Sequence, residues 1–445
     1  MLEALGLASV DELFRDVPKK ARIGRIGIGA GRDEPDVVKE VDKLLDRNRP
    51  LGKFATFLGG RIAWRYVPAA VDAILSRSEF YTAYTPYQPE ASQGMLRALF
   101  EFQSLWVELT GLDLANASLY DGATAAGEAL LFCRRLHEGG RFLVPASLPW
   151  EEKSVLANYA TGPGIRLEEL PYDPRSGRLD LGAVRAAVAA GDVCGMLADV
   201  PNGFGHLDEG VFDLKGILGD VPLVVAADPL SLSVLEPPGA YGADVVVGEG
   251  QGFGVAPSYG GPLLGLFACR KEHARQAPGR IVGATVDVDG RPARALTLQT
   301  REQHIRRSRA MSNICTNESL MALAFVVYAS TVGPRGLAQL QSSLAEKART
   351  LASSLGSIDG LKAPRFDAPY LGEFTIELAR GTAAGFLDRL RRRKILGGHP
   401  LADPRPGASS GPERILVAAT DSVGEKEIQK YAAAARAWSA SGAGA

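Results

Sequence analysis

The most informative feature of the sequence is the absence of lysine between Lys215 and Lys271. Within this stretch one apolar strand ends in Asp228, a second apolar strand follows, and a turn of small residues, GQGF, comes next at 250–253. A lysine in such a turn could form an imine with an aldehyde, because its side chain is an amine. The amide of Gln251 cannot. Covalent chemistry of this kind is therefore excluded at the position where the surrounding pattern favours it.

The bulk composition is that of an ordinary globular protein and excludes several functional classes. Of 445 residues, 46% are hydrophobic and 23% are charged, and 50 basic side chains nearly cancel 51 acidic ones. No large field of one sign therefore favours nucleic acid or a membrane surface as a partner. The apolar runs fall short of the roughly 20 residues that a membrane-crossing helix needs.

The cysteines and the first residues predict a cytoplasmic protein without a metal centre. The four cysteines, at positions 133, 194, 269 and 315, show no CxxC spacing and do not cluster with the five histidines. This spacing favours reduced thiols over disulfides or a zinc site. The opening segment, MLEALGLASVDELFRDVPKK, carries both charge signs. It lacks the successive regions of a secretion signal.

The sequence divides into three predicted parts. We expect a helical arm over residues 1–65, a large domain over 66–315 and a smaller domain over 316–445. In the large domain, short apolar strands such as CGMLADV (194–200) and PLVVAAD (222–228) alternate with helical stretches. This alternation predicts an α/β fold with a mainly parallel sheet that is covered by helices on both faces. The last part mixes strands with helices and is predicted to be an α+β domain.

A loop rich in tyrosine lies at residues 80–93, FYTAYTPYQPEASQ. Pro86 and Pro89 restrict its backbone to an extended turn. Aromatic rings with hydroxyl groups, held on such a stiff loop, suit the wall of a binding site. The alternative is that the rings pack against a neighbouring helix or subunit, because tyrosine is common at interfaces.

Two further passages contain groups that could meet an anion. Residues 119–131, LYDGATAAGEALL, predict a helix start at which Gly122 and Thr124 present backbone N–H groups, as in phosphate sites. A plain helix cap explains the same residues. Between Thr300 and Glu318, three arginines precede the string SNICTNE. These arginines either bind a carboxylate or phosphate or form a solvated helix surface.

Five strings of the sequence resemble one family. They are YTAYTPYQPEASQG, GLDLANASLYDGATAAGEA, VPNGFG, SYGGPLLGLFACR and SNICTNE. Together they are similar to the alpha subunit of the bacterial two-subunit glycine decarboxylase, the N-terminal half of the P-protein of the glycine cleavage system. The resemblance runs almost from end to end. It departs from the family at SLPW (147–150), where members often have S-x-x-V-H-P and therefore a histidine.

The resemblance implies an aspartate aminotransferase-like large domain of the fold type I pyridoxal phosphate enzymes and a smaller α+β C-terminal domain. It also implies that this chain is a subunit of glycine dehydrogenase (decarboxylating) and is inactive alone. A beta subunit, in an α2β2 assembly, would carry the pyridoxal 5′-phosphate and its lysine. Glycine would lose CO2 there, and its aminomethyl group would pass to the lipoyl arm of the H-protein.

The resemblance also assigns roles to residues of this chain. Gly122, Thr124 and Asp228 would be vestiges of a cofactor site, although Asp228 could equally be a strand-end cap. Hydroxyl groups could bond a carboxylate or a phosphate without adding a full charge. The residues expected to line the partner's active site across the subunit boundary are Tyr84, Thr85, Tyr87 and Gln88, with Thr316 and Asn317 as weaker candidates.

Two alternatives stay open. The chain could be a purely structural partner that stabilises beta and docks the H-protein without touching a reactant. It could also be an independent pyridoxal phosphate enzyme that uses Lys271. The charged string ACRKEH around Lys271 predicts an exposed and protonated lysine, which does not suit that second alternative.

Overall fold

The structure is a computed structural model that describes residues 1–24, 26–403 and 411–441. Internal contacts divide the chain into two units, Met1–Lys53 and Phe54–Ala445. The domain boundaries near residues 65 and 315 stay predictions.

Helices and strands alternate through most of the chain. The α-helices of the described residues are α1 Glu34–Leu45, α2 Ala69–Leu75, α3 Ser78–Tyr81, α4 Gln93–Thr110, α5 Gly122–Leu136, α6 Trp150–Thr161, α7 Leu181–Ala189, α8 Val211–Leu218, α9 Gln303–Arg306, α10 Ser319–Gly356, α11 Ala383–Arg392 and α12 Glu425–Ala440. The strands are β1 Ala55–Thr56, β2 Leu114–Ala115, β3 Arg141–Pro145, β4 Arg166–Leu170, β5 Val193–Val200, β6 Leu223–Ala227, β7 Val245–Glu249, β8 Gly265–Cys269, β9 Ile281–Val286, β10 Pro292–Thr297, β11 Leu361–Lys362, β12 Glu373–Leu378, β13 Ile395–Leu396, β14 His399–Pro400 and β15 Arg414–Ala418.

Seven strands form the central sheet, in the order β2-β8-β7-β6-β5-β3-β4. From β7 to β4 all neighbours run parallel, whereas β8 runs antiparallel to both β7 and β2. Every residue of β3, β5, β6 and β7 is buried. Burial on both faces explains why these strands are continuous apolar runs in the sequence. The predicted α/β class with a mainly parallel sheet is confirmed.

Helices cover the two faces of this sheet. On one face, α4, α7, α8 and α10 pack against the strands, with Phe325 of α10 fully buried. On the other face lie α5 and α6, which contribute Phe132 and Leu156. Neighbouring residues of β6, Val224 and Val225, fall in the two different clusters. Successive side chains of a strand point to opposite faces, so one strand contributes to both cores.

Helix α10 is bent in the middle. Gly333 has φ 68° and ψ 168°, and Pro334 follows it. Among the described residues, α10 alone is long and apolar enough to cross a membrane, which the search for apolar runs did not predict. Its buried side chains, Phe325 and Tyr328 among them, pack in the core beside the central sheet. The packing accounts for the apolar composition.

The C-terminal residues form an α+β lobe, as expected. An antiparallel sheet in the order β11-β12-β15-β14 packs against α11, α12 and the end of α10. The rings of Phe386 and Trp438 lie edge to face at 5.0 Å in its core. Residues shortly after Lys53 join this lobe, because β1 pairs with β13 and Phe57 packs on Tyr431.

The first unit, Met1–Lys53, consists of short single-turn helices and α1. Pro35 lies in the first turn of α1, where its missing N–H costs no hydrogen bond. Val37, Val41 and Leu44 recur at helical spacing and are exposed. The described residues of this unit therefore form an apolar stripe but include no buried core.

Candidate functional site

The carboxyl ends of β5, β6 and β7 meet at one edge of the central sheet. Asp199 lies at the end of β5, Asp228 directly follows β6, and Glu249 ends β7. Gln251 comes two residues later, in the turn after β7. Ligands of open α/β folds bind outside this edge. Gln251 therefore lies at the edge where ligands of this class bind, and its equivalence to a Schiff-base lysine stays a prediction.

Gln251 is fully buried, and its amide is held on both sides. The backbone N–H of Ala63 donates to its Oε1 at 3.0 Å, and its Nε2 donates to the backbone oxygen of Val255. Its own N–H donates to Glu249 Oε1 at 2.8 Å. The side chain thus fastens the segment at residue 63 to the turn after β7, and it projects no free group.

The start of α5 is a plain helix cap. Asp121 Oδ1 accepts from the backbone N–H of Thr124 at 2.8 Å, and the Asp121 N–H donates to the Thr124 hydroxyl at 3.2 Å. The N–H of Gly122 donates to Glu249 Oε2 at 2.9 Å. Two carboxylates therefore occupy the N–H groups of Gly122 and Thr124, and they would repel a phosphate at this position.

Glu249 joins three elements at this edge. Besides Gly122 and Gln251, the N–H of Leu264 donates to it, at 2.9 Å. Burial raises the pKa of Glu249 to about 7, although the three N–H groups that bond it act to lower that pKa. Asp228 also has a backbone role, because Oδ2 accepts from Ser231 N at 3.0 Å and Oδ1 from Leu230 N at 3.4 Å. The strand-end cap that the sequence left open for Asp228 is present.

Arg61 fills the remaining space. Its Nε lies 2.5 Å from Glu152 Oε1, and its Nη2 lies 3.5 Å from Asp199 Oδ2. We call the space between Arg61, Gly122, Glu152, Asp228 and Glu249, together with the turn at Gln251, the closed pocket.

About 30 Å³ is left for water between Arg61, Gly122, Glu152, Asp228 and Glu249, and a neighbouring cavity of about 310 Å³ is lined in part by the same side chains. A buried water needs about 10–15 Å³ by this measure, whereas pockets for cofactor-sized ligands are typically about 300–1,000 Å³. The volume alone does not decide the fit, but the chemistry of the residues does: the closed pocket offers no amine at Gln251, and the N–H groups of Gly122 and Thr124 are bonded to carboxylates. These residues therefore do not fit covalently held pyridoxal phosphate.

Lys271 lies at the opposite edge of the sheet. Because β8 runs antiparallel to β7, Cys269 pairs with Val245 at the start of β7, and Gly265 pairs with Glu249 at its end. Lys271 follows Cys269 and is exposed, with its backbone N–H bonded to Asp113. It is a whole strand length away from the closed pocket.

The tyrosine loop contacts the SNICTNE segment, although the two are more than 200 residues apart in sequence. The Tyr84 hydroxyl and Thr316 Oγ1 are 2.9 Å apart, and both residues are exposed. Pro86 is buried and anchors the loop. Thr85 is half-buried and accepts from the N–H of Tyr87 at 2.9 Å through its backbone oxygen.

The other candidates differ in accessibility. Gln88 is exposed. Asn317 is buried, where its Nδ2 donates to the backbone oxygen of Ala117 at 3.0 Å and its Oδ1 accepts from the Ser319 hydroxyl at 2.7 Å. The amide of Asn317 is therefore already bonded within the chain, whereas Thr316 presents its side chain at the surface.

Sequence reasoning missed the residues that support this loop from beneath. Arg280, directly before β9, is 2% exposed and donates to the Tyr87 hydroxyl at 2.5 Å. Glu302 is also buried and lies 3.6 Å from Arg280 Nε and 3.5 Å from His304 Nδ1. The exposed Tyr84, Tyr87 and Thr316, with Arg280 and Glu302 beneath them, are called the tyrosine face below.

The three arginines that the sequence offered as anion ligands do not contact the tyrosine loop in any described hydrogen bond. Arg306 is exposed and donates to the backbone oxygen of Thr300 at 3.0 Å, and Arg307 and Arg309 are exposed as well. The arginine that contacts the tyrosine loop is Arg280. A lone arginine in the string PGRIVG gave no signal, because no spacing relates it to Tyr87. Arg61 was missed for the same reason.

Solved structures define the class of protein. The chain matches an aspartate aminotransferase from Thermus thermophilus with a TM-score of 0.57 at 17% identity, over 86% of this chain and 98% of that one. At this identity the likeness shows the fold alone. The fold is that of the fold type I pyridoxal phosphate enzymes, as predicted.

Closer relatives define the family. The model of the glycine cleavage system P-protein matches residues 1–389. A probable glycine dehydrogenase (decarboxylating) subunit 1 from Geobacillus kaustophilus is 42% identical over 440 residues, which is 97% of this chain and 95% of that protein. The crystal structure of a glycine decarboxylase (P-protein) of the glycine cleavage system, in inhibitor-bound form, matches with a TM-score of 0.88 at 37% identity, over 98% of this chain and 97% of that one. The chain belongs to the glycine cleavage system P-protein family.

Proposed function

We propose that this chain is the alpha-type subunit of a two-subunit glycine decarboxylase. Together with a beta subunit that holds pyridoxal 5′-phosphate, it decarboxylates glycine and passes the aminomethyl group to the lipoyl arm of the H-protein. Relatives named as subunit 1 of glycine dehydrogenase (decarboxylating), at about 40% identity over nearly the whole chain, support this proposal. We further propose an α2β2 assembly in the cytoplasm.

The observation that carries the proposal is the closed pocket. In this proposal the buried amide of Gln251 stands at the position of the Schiff-base lysine, and Arg61 pairs with Glu152 and Asp199 at the same edge of the sheet. A chain of this fold that cannot hold the cofactor needs a second chain that does. When bound there, the cofactor supplies the electron sink that makes loss of CO2 from an amino acid possible.

The contribution of this chain is the tyrosine face. Tyr84, Tyr87 and Thr316 present neutral hydroxyls on a rigid base, and Thr85 and Gln88 lie beside them in the same loop. Placed across the subunit boundary, these groups orient a substrate carboxylate by hydrogen bonds. They also exclude water from the cleft, which favours a step in which a charged carboxylate leaves as a neutral gas.

Co-expression tests the need for two chains. This chain, a candidate beta chain and both together are purified, and each sample is assayed for glycine–bicarbonate exchange and measured by native mass spectrometry. We expect exchange only in the sample with both chains. Exchange by this chain alone, or a band of bound pyridoxal phosphate that borohydride reduces, would contradict the proposal.

Substitutions in the loop test the direct role. Tyr87→Phe and Thr85→Ala are assayed in the assembled complex, with Tyr66→Phe as the matched control. Tyr66 is exposed, and its backbone N–H bonds Asp421 near the C-terminal lobe. We expect exchange to fall about tenfold in each loop variant, since each removes one hydrogen bond to a charged group. Full activity of both loop variants in intact complexes would instead support a purely structural partner.

A further inference from the structure

The tyrosine face has an unusual foundation, a buried arginine beneath an exposed tyrosine. Arg280 is 2% exposed, while Tyr87 is 40% exposed. The guanidinium carbon lies 4.9 Å from the centre of the Tyr87 ring, and Nη2 donates to the Tyr87 hydroxyl oxygen at 2.5 Å. One side chain therefore fixes both the plane of the ring and the position of its oxygen.

The backbone on either side of Arg280 is held firmly. The N–H of Ala117 donates to the Arg280 oxygen at 2.7 Å. Asn116 Nδ2 donates to the oxygen of Pro278 at 3.1 Å, and Arg301 Nη2 donates to the oxygen of Gly279 at 3.1 Å. These bonds leave the base of the guanidinium little freedom. The restrained backbone of Arg280 therefore holds its side chain in place beneath the tyrosine loop.

The hydrogen bond between Arg280 and Tyr87 has a defined polarity. A guanidinium only donates hydrogen bonds, whereas a phenol both donates and accepts. The oxygen of Tyr87 must therefore be the acceptor, and its own O–H proton cannot point at Arg280. Because the ring is partly exposed, the proton is left to donate away from the chain. Under the proposed function, the acceptor for this proton is a group in the active site formed with the beta subunit.

A residue that only anchored the loop would not need a buried charge and a buried counter-charge. Arg280 Nε and Nη1 are buried without a hydrogen-bond partner among the described residues, and both oxygens of Glu302 share this condition. The two groups form an ion pair at 3.6 Å. A buried pair of this kind is seldom more stabilising than apolar packing. What the pair does supply is a charged donor at a fixed place, with its charge balanced by Glu302.

We propose that Arg280 is a positioning residue that sets the Tyr87 hydroxyl to donate into the active site formed with the beta subunit. The inference rests on the proposed function and deepens it, because it assigns the direction of a single proton in the tyrosine face. Arg280 itself touches no reactant in this proposal. It acts through Tyr87.

A double-mutant cycle tests the proposal in the assembled complex. Arg280→Lys keeps the charge but loses the flat group that both stacks and donates, and Tyr87→Phe keeps the ring but removes the acceptor. We expect each single substitution to lower kcat/KM for glycine in the exchange assay by about tenfold. The double variant is expected to be no slower than Tyr87→Phe, because without the hydroxyl Arg280 has nothing to orient.

The control is Arg294→Lys. Arg294 also stacks on a ring, with its guanidinium 4.4 Å from the centre of Phe100, and its Nη1 bonds a backbone oxygen. We expect normal exchange from this variant. Native mass spectrometry confirms that every complex is intact. If Arg280→Lys fails to assemble, Arg280→Gln takes its place in the same cycle.

Each result decides between the two proposals. Additive losses in the double variant would overturn the positioning role, since Arg280 would then support the loop independently of the hydroxyl. A slow Tyr87→Phe beside a fully active Arg280→Lys would overturn only the positioning role. A fully active Tyr87→Phe would remove Tyr87 from the proposed wall and the positioning role with it.

Discussion

The closed pocket and the tyrosine face each contain an arginine bonded to neighbouring side chains, but the polar groups of the two regions point in different directions. In the closed pocket the guanidinium of Arg61 forms ion pairs with the buried carboxylates of Glu152 and Asp199. In the tyrosine face the guanidinium of Arg280 donates a hydrogen bond to the hydroxyl of Tyr87, whose ring is exposed. The first region satisfies its polar groups inward and stabilises the fold. The second leaves hydroxyls facing outward, so its substitution should change activity more than stability.

The largest expected effect on stability is that of Arg61→Met. Without the cation, Glu152 and Asp199 stay buried beside each other with no opposing charge, which should lower the free energy of unfolding by about 3–4 kcal/mol. Urea unfolding of the chain measures the change. Arg166→Met is the control, because Arg166 is exposed and its pair with Glu168 at 3.4 Å should contribute less than about 1 kcal/mol. Equal losses in both variants would show that Arg61 does not hold the pocket together.

The second largest expected effect on stability is that of Gln251→Lys. The new ammonium would be buried among groups that already bond one another, and the bonds to Ala63 and Val255 would be lost. We expect a loss of about 2–3 kcal/mol in unfolding free energy. We also expect no band that borohydride reduces after incubation with pyridoxal phosphate. Gln429→Lys, on the exposed side of α12, is the control and should leave stability unchanged. A reducible band at Gln251→Lys would mean that the pocket is open enough for a cofactor.

The third prediction concerns pH. Burial raises the pKa of Glu249 from 4.5 to about 7. A carboxyl with a raised folded-state pKa binds its proton more tightly when folded. It therefore contributes stability that is full below pH 4.5 and is lost as the pH rises through 7. Glu249→Gln removes this titration.

The test compares unfolding free energies at pH 5 and pH 7. Relative to wild type, the Glu249→Gln variant should gain about 1–2 kcal/mol between these two pH values. Glu108→Gln, at an exposed site on α4, should show no such trend. A variant curve parallel to that of wild type would show that Glu249 does not titrate in this window.

Strands and turns, which depend on neighbouring residues, can be predicted from the sequence, whereas contacts between residues far apart in the sequence cannot. Continuous apolar runs predict the parallel strands because burial on both faces leaves that pattern in the sequence. Gln251 is equally visible in the sequence, because its turn follows directly after a predicted strand. Arg61 could not be predicted, because its partners Glu152 and Asp199 meet it only once the sheet and the segment before α2 have packed. Arg280 and Tyr87 are likewise 193 positions apart.

Tyr84→Phe has the smallest expected effect on stability and is the sharpest test of the comparison. Tyr84 is 72% exposed and its hydroxyl meets Thr316 at 2.9 Å. Removing an exposed hydroxyl should change the unfolding free energy by less than about 0.5 kcal/mol. Exchange in the assembled complex should nevertheless fall about threefold to tenfold, because the hydroxyl lies in the face offered to the partner. Thr316→Ala should lose less, since its role is to hold Tyr84. Should Tyr84→Phe destabilise the chain as much as Gln251→Lys and leave exchange intact, the two regions would not differ in the way their geometry implies.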